Sequence, residues 1–251
     1  RHDITNDTDD YQRNYVRHHI TPSFFELNNQ FDQAFRTTIN HLESDRRLIS
    51  DYVDSLILEV SSKQGDIVYF NVEKLKNPKI KKAFFHIFSP YGFMTPNEIE
   101  KLLDANNSAE ITSEQYRLIK DRESIILAPL NQKKINYKID GLNTDSLPVD
   151  FKLIKSNYRK NNGISFDFNK IKFPLSLRIH KSGDKFYPKG MNGKSKKISK
   201  FYKDIKLSKL EKENTWLLCD ANDNIIWVVN HRQDERFIPT KNTKIWLIVE
   251  N

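Results

Sequence analysis

Seven lysines, Lys181, Lys185, Lys189, Lys194, Lys196, Lys197 and Lys200, fall one to five residues apart and alternate with Phe186, Tyr187, Met191 and Phe201. Ammonium groups supply point charges for phosphates, while flat rings stack on an unpaired base or pack against a ribose. Gly183, Gly190 and Gly193 in the same stretch let backbone amides approach a phosphate closely. Arg178 precedes the run, and Arg232 and Arg236 follow it. Between Arg178 and Lys212 twelve Lys or Arg stand against Asp184, Asp204 and Glu211, an excess of nine, whereas the whole chain carries +8. The remainder is therefore about neutral, and a positive field this concentrated attracts a polyanion. The competing reading is a solvated lysine-rich surface, with Phe186, Tyr187 and Phe201 only anchoring the loop to a sheet. For Phe201, in ISKFY on a short helix, anchoring is the preferred reading.

Other chemistries find little support. Gly193-Lys194-Ser195 looks like the end of a phosphate-binding P-loop, but the position needing an earlier glycine is Pro188, which has no amide proton. The seven histidines are scattered, and the one close pair, His18-His19, is expected to point to opposite sides of its element. With a single cysteine there is no zinc ligand set, and no serine sits in a glycine elbow. Cys219, inside WLLCD, reads as a small buried hydrophobe, and its solitude fits a reducing compartment, the cytoplasm. No run of eighteen apolar residues is present, so no membrane partner is expected.

At 251 residues with 37% hydrophobic content, the chain has enough apolar material for one large or two ordinary domains. The expectation is an α+β protein: a helical linker over 1–30, a helix-rich central domain over 31–134, and a small mixed-sheet domain over 135–251. Phe31, Phe35, Ile39, Leu42, Ile49, Val53, Leu56 and Val60 make one stripe on a helix of roughly eight turns, ended by Gly65-Asp66. IVYFNV follows as a strand. KIKKAFFHIFSPYGF and TPNEIEKLLDANN read as two short helices, the second with Thr95 as N-cap, Pro96 at its first position and Glu98 completing a capping box. QYRLIKDRESIILAP alternates apolar and polar residues as a hairpin. Beyond it INYKID, FKLIK, ISFDF and PLSLRIH are β-like, ISKFYKDI is a single short helix, NTWLLCD and IIWVVN form a hairpin, and IWLIVE closes the chain.

Two stretches carry a family resemblance. FPLSLRIHKSGDKFYPKGMNGKSKKISKFYKD followed by WLLCDANDNIIWVVNHRQDERF resembles the C-terminal domain of the bacterial tRNA(Ile)-lysidine synthetases. Near the start, Asp3, Asn6, Tyr11, Arg13-Asn14 and Arg17-His18 resemble the phrase that follows that family's nucleotide-binding domain, although RNYVRHH also reads as an ordinary basic helix start. The resemblance implies a ligase that uses ATP, with Mg, to adenylate the wobble cytidine of an isoleucine tRNA with a CAU anticodon. The amine of L-lysine then displaces AMP. It implies supporting roles for Arg13 and Arg17 at the edge of the active site. It further implies tRNA contacts from Asn14, His18, Arg178, Lys181, Lys185, Lys189, Lys194, Lys196, Lys197, Lys200, Arg232 and Arg236.

The family's Ser-Gly-Gly-x-Asp-Ser loop does not occur in the sequence, which opens on Arg1-His2-Asp3 rather than Met. The expectation is therefore a piece of a longer protein, with ATP and Mg held by a missing N-terminal domain and the piece inactive by itself. Oligomeric state stays open, a homodimer included. The alternatives are a non-enzymatic RNA-binding module and, less well supported, a protein docking on anionic lipid, for which an inserting amphipathic helix is lacking.

Overall fold

A computed structural model describes Asp9 and residues 11–130, 136–158 and 163–250. Asp3 and Asn6 of the amino-terminal phrase lie outside the described residues. The chain enters through α1 (Gln12–Tyr15), a π-helical turn (Val16–Ile20) and α2 (Thr21–Leu27), and then runs along α3 (Phe31–Val60). No Gly or Pro interrupts those thirty residues, and Arg36 Nε donates to Asp32 at 2.8 Å one turn away. The predicted apolar stripe is real, but it is covered mainly at its ends: Val53, Leu56 and Val60 are buried and Phe31 stacks on Phe24 of α2 at 4.7 Å, whereas Phe35 is 52% and Leu42 62% exposed. The helix stops at Ser61, which turns extended, rather than at Gly65. Gly65-Asp66 instead makes the turn of a hairpin between β1 (Ser61–Gln64) and β2 (Ile67–Asn71), with Gly65 at φ +58°.

Helices α4 (Val72–Leu75), α5 (Pro78–Lys82), α6 (Phe84–Phe88) and α7 (Pro96–Asp104) follow, then β3 (Glu110–Thr112), β4 (Tyr116–Asp121) and β5 (Ser124–Pro129). Thr95 does occupy the N-cap of α7, but its side chain makes no capping hydrogen bond, so the expected capping box is absent. The five strands form one antiparallel sheet in the order β1-β2-β5-β4-β3. One face, through Phe70, Leu118, Ile125 and Leu127, packs on the end of α3 and on α6 and α7. The β4–β5 hairpin was expected to alternate, as a half-exposed pair would. Instead four consecutive residues of each strand are buried, because the second face is covered too.

The cover on that second face comes from far along the chain. The carboxy-terminal unit comprises β6 (Tyr137–Ile139), β7 (Lys152–Ser156), β8 (Ile164–Asp167), β9 (Leu175–Arg178), β10 (Lys185–Phe186), β11 (Lys196–Lys197), α8 (Ile198–Asp204), α9 (Lys209–Asn214), β12 (Leu217–Cys219), β13 (Ile225–Val228), β14 (Arg232–Gln233) and β15 (Trp246–Glu250). Helix α9 lays Leu210 on Ile119, Ile126 and Ala128 of the central sheet. Around that contact Arg117 Nη2 meets Glu213 at 2.6 Å, Lys209 Nζ meets Glu110 at 3.1 Å, and Arg122 Nη2 donates to the Lys206 carbonyl at 2.8 Å. Leu210→Ala should cost about 2–3 kcal/mol in denaturant unfolding. A loss below about 1 kcal/mol would mean that α9 adds nothing to the sheet it covers.

The α+β expectation holds, with the carboxy-terminal strands divided between a two-stranded ribbon, β10-β11, and two larger antiparallel sheets, β14-β13-β12-β9-β6 and β7-β15-β8. They enclose one core built from Phe166, Leu175, Leu177, Leu218, Trp227 and Leu247. The opposite face of the larger sheet, through Leu217, Cys219, Ile225 and Val228, is covered by Phe186, Ile198, Phe201 and Tyr202. Among the described residues no helix is long and apolar enough to cross a membrane.

Candidate nucleic-acid interface

Phe186 at 0% and Phe201 at 5% exposure are wedged edge-to-face, ring centroids 5.1 Å apart, on the outer face of the larger sheet. They are anchors and not stacking platforms, which settles the choice between the two readings for these rings. Their burial fixes both ends of the basic loop, Phe186 in β10 and Phe201 in α8, so the polar residues between are held outward.

Arg178 is the largest departure from the sequence reading. It is 2% exposed, and its guanidinium is committed inside the protein. Nη1 and Nη2 donate to Asp184 at 2.7 and 3.0 Å, Nε donates to Asp223 at 2.7 Å, and Nη1 also reaches the Ile179 carbonyl at 3.1 Å. Asp184 in turn accepts the Lys181 amide at 2.7 Å, closing the Lys181–Asp184 turn that launches the basic loop. Burial alone would raise the Asp184 carboxyl, but the Arg178 donors and that amide hold it below its ordinary range. Arg178 therefore shapes the loop and presents nothing to a ligand.

The other end of the loop is tied down by Asp234, which is fully buried. Its Oδ2 accepts the Tyr187 amide at 2.9 Å, and both its oxygens accept from Arg236, at 3.0 Å from Nε and 2.9 Å from Nη2. Arg236 also lies over the Tyr187 ring at 4.4 Å. Lys189 N donates to the Gln233 carbonyl at 3.0 Å, which stitches the loop to β14. Asp184, Asp223 and Asp234 escaped sequence reading because acids inside a basic stretch look like exceptions rather than its framework.

The remaining cations divide by partner. Lys196 is ion-paired with Asp204, and Lys181 reaches Asp223 at 3.4 Å. Lys185, Lys189, Lys194, Lys197, Lys200 and Arg232 are exposed and make no ion pair among the described residues. Lys189, Lys196 and Arg232 line a cavity of about 310 Å³ together with Met191, Phe201 and Asp204. The arrangement is a rigid, cation-lined recess with free ammonium groups around it, suited to phosphate oxygens. Gly193-Lys194-Ser195 opens no phosphate-binding helix: β11 intervenes, and α8 has only seven residues. That stretch therefore does not make a P-loop for ATP phosphates.

The amino-terminal candidates sit apart on the first helical segment. Arg13, Arg17 and His18 are exposed, while Asn14 is buried. His18 and His19 do not diverge as expected. Their Nδ1 and Nε2 lie 2.9 and 2.6 Å from the two oxygens of Asp9, because neighbours on a helix are only about 100° apart. That contact, with His19 foremost, holds the Asp9 carboxyl below its usual range. Among the described residues no cluster of three or more His, Cys, Asp or Glu could hold a metal ion. Cys219 is buried, and burial pushes its thiol up to about 12, so it is no nucleophile.

Comparison with known proteins bears on both units. Residues 63–130 match the domain family described as "TilS substrate binding domain", and residues 175–249 match "TilS substrate C-terminal domain". A protein of Parabacteroides distasonis named tRNA(Ile)-lysidine synthase is 32% identical over 258 residues, taking in 98% of this chain. The chain belongs to the tRNA(Ile)-lysidine synthase family. A synthase of that name from Bacteroides thetaiotaomicron is 29% identical over 248 residues and 96% of the chain, and one from Caldanaerobacter subterraneus is 26% identical over 280 residues and 100% of the chain. The chain spans 58%, 56% and 58% of these three lysidine synthases.

Proposed function

We propose that this chain is the tRNA-recognising portion of a tRNA(Ile)-lysidine synthase. The enzyme as a whole would use ATP to adenylate the wobble cytidine of the isoleucine tRNA with a CAU anticodon, and the L-lysine amine would then displace AMP to leave lysidine. The observation that carries the reading is the set of exposed cations without an ion pair among the described residues, Lys185, Lys189, Lys194, Lys197, Lys200 and Arg232, on a loop anchored by buried Phe186, Phe201 and Asp234. Such a surface neutralises phosphates without further rearrangement.

In this division of labour residues 1–30 form the end of the catalytic domain and the linker, 31–134 the central tRNA-recognition unit and 135–251 the basic tRNA-binding unit. ATP and Mg would be held by an N-terminal domain of the full-length enzyme. Arg13 and Arg17, both exposed, would face the reacting phosphates from the linker with planar guanidinium forks. A tRNA substrate and a single buried thiol agree with the cytoplasm.

The test uses the chain as it stands. It should bind tRNA(Ile) transcript with a log affinity against log salt slope of roughly −4 to −5, equivalent to about six phosphate contacts. It should show no ATP–pyrophosphate exchange. A flat salt dependence would remove the phosphate-binding reading, and exchange by the chain alone would refute the assignment of ATP chemistry elsewhere.

A further inference from the structure

The central unit holds a second cavity, about 400 Å³, distant in character from the basic loop. Its walls are the Ser89–Tyr91 turn with Gly92 and Met94, and the loop leading from β3 into β4. Tyr91 and Tyr116 meet there edge-to-face, centroids 5.2 Å apart at 79°. Ser113 locks the walls together: its Oγ donates to the Tyr91 carbonyl at 2.7 Å and accepts the Tyr116 amide at 3.1 Å. Gly92 permits the approach, since it has φ +84° and a Cβ there would stand 2.9 Å from Ser113 Cβ. The recess is therefore built into the backbone and is not a gap between mobile side chains.

Its chemistry differs from that of a phosphate site. No Lys or Arg lines it, and Glu114 would repel an anion. Met94 is 63% exposed beside the tyrosines. The Glu114 carboxylate and the Gln115 amide make no side-chain hydrogen bond or ion pair among the described residues. Flat and polarizable apolar surface next to unpartnered edge donors and acceptors is what an unstacked nucleobase requires. Its face packs on rings, and its amino and ring-nitrogen groups pair with a carboxylate or a side-chain amide. Sugar and phosphate would remain outside.

Building on the RNA-binding reading above, we propose that this cavity takes one unpaired base of the bound tRNA. The base packs against Tyr91, Tyr116 and Met94, and its edge is read by Glu114 and Gln115. The central unit then contributes base recognition, while the carboxy-terminal loop contributes charge.

Two measurements on the chain with tRNA(Ile) transcript test this. Glu114→Ala combined with Gln115→Ala should weaken binding about tenfold while leaving the salt slope unchanged, because a base contact displaces no counterions. Both residues are exposed, and circular dichroism checks the fold. Unchanged affinity, or a shallower slope, overturns the proposal. Met94→p-benzoylphenylalanine, irradiated in the complex, should yield reverse-transcription stops at one unpaired nucleotide. Adducts spread along duplex, or none while tRNA is still retained, also overturn it and leave the basic surface standing. Failure of the unmodified chain to retain tRNA would overturn the proposed function itself.

Discussion

Arg178→Met should lower the stability of the carboxy-terminal unit by about 3–5 kcal/mol, the usual cost of leaving one member of a buried ion pair alone. Arg178 is 2% exposed, with Asp184 close and partly shielded, so solvent does little to screen the loss. Asp223 is 54% exposed and adds little. Trp216, Trp227 and Trp246 all lie in this unit, so their fluorescence during urea unfolding reports it directly. A cost below about 1 kcal/mol would show that the pair is screened and that the turn stands without it. Replacing both partners, Arg178→Met with Asp184→Leu, should recover a large part of the loss, because no buried charge is then left unpaired.

The same pair predicts a pH dependence with a definite sign. The Asp184 carboxyl is held below its ordinary value in the folded protein. Its contribution is therefore present above the unfolded value of about 4 and disappears as the pH falls through the lower folded value. Stability measured from pH 6 downward should fall more steeply for the unaltered protein than for Arg178→Met, in which the carboxyl has lost its cation. Parallel curves would mean that Asp184 titrates alike in both.

The second large effect concerns binding. Lys185→Ala, Lys189→Ala and Lys197→Ala together should weaken tRNA binding by on the order of 2–3 kcal/mol at low salt, and should make the salt slope shallower by about 2 to 3. Lys181→Ala and Lys196→Ala should do much less, since Asp223 and Asp204 already balance those charges. Filter binding at several salt concentrations decides the matter. Equal effects from the paired and the unpaired lysines would show that the ion pairs open in the complex, and an unchanged slope would return all five to the solvated surface.

Much of the fold was legible because its cues are local. The α3 stripe, the strands at Ile67–Asn71, Leu175–Arg178 and Trp246–Glu250 and the Arg122-Glu123 turn depend on periodicity and turn chemistry within a few residues, and these were found where expected, although α3 ends at Val60 and not at Gly65. Helix α9 was missed although its start is written plainly. Ser208 and Glu211 form the reciprocal capping box, 3.1 Å and 2.7 Å, that had been assigned to Thr95 and Glu98 instead. Its sequence, KLEKEN, offers one apolar residue and so no stripe to read. That one residue, Leu210, is what α9 packs on the central sheet, and the need for a cover on Ile119 and Ile126 becomes visible only once that sheet exists.

The position of the charge, most of the longer elements and the kind of ligand the basic stretch suits can be read along the chain, since charge and periodicity are sums over neighbouring residues. Which cations remain available was decided by the tertiary structure. Arg178 and Asp223 are forty-five residues apart, and only the pairing of β9 with β12 brings the second acid within reach of the first guanidinium. An ion pair forms wherever folding brings two opposite charges together, and sequence spacing carries no record of that meeting.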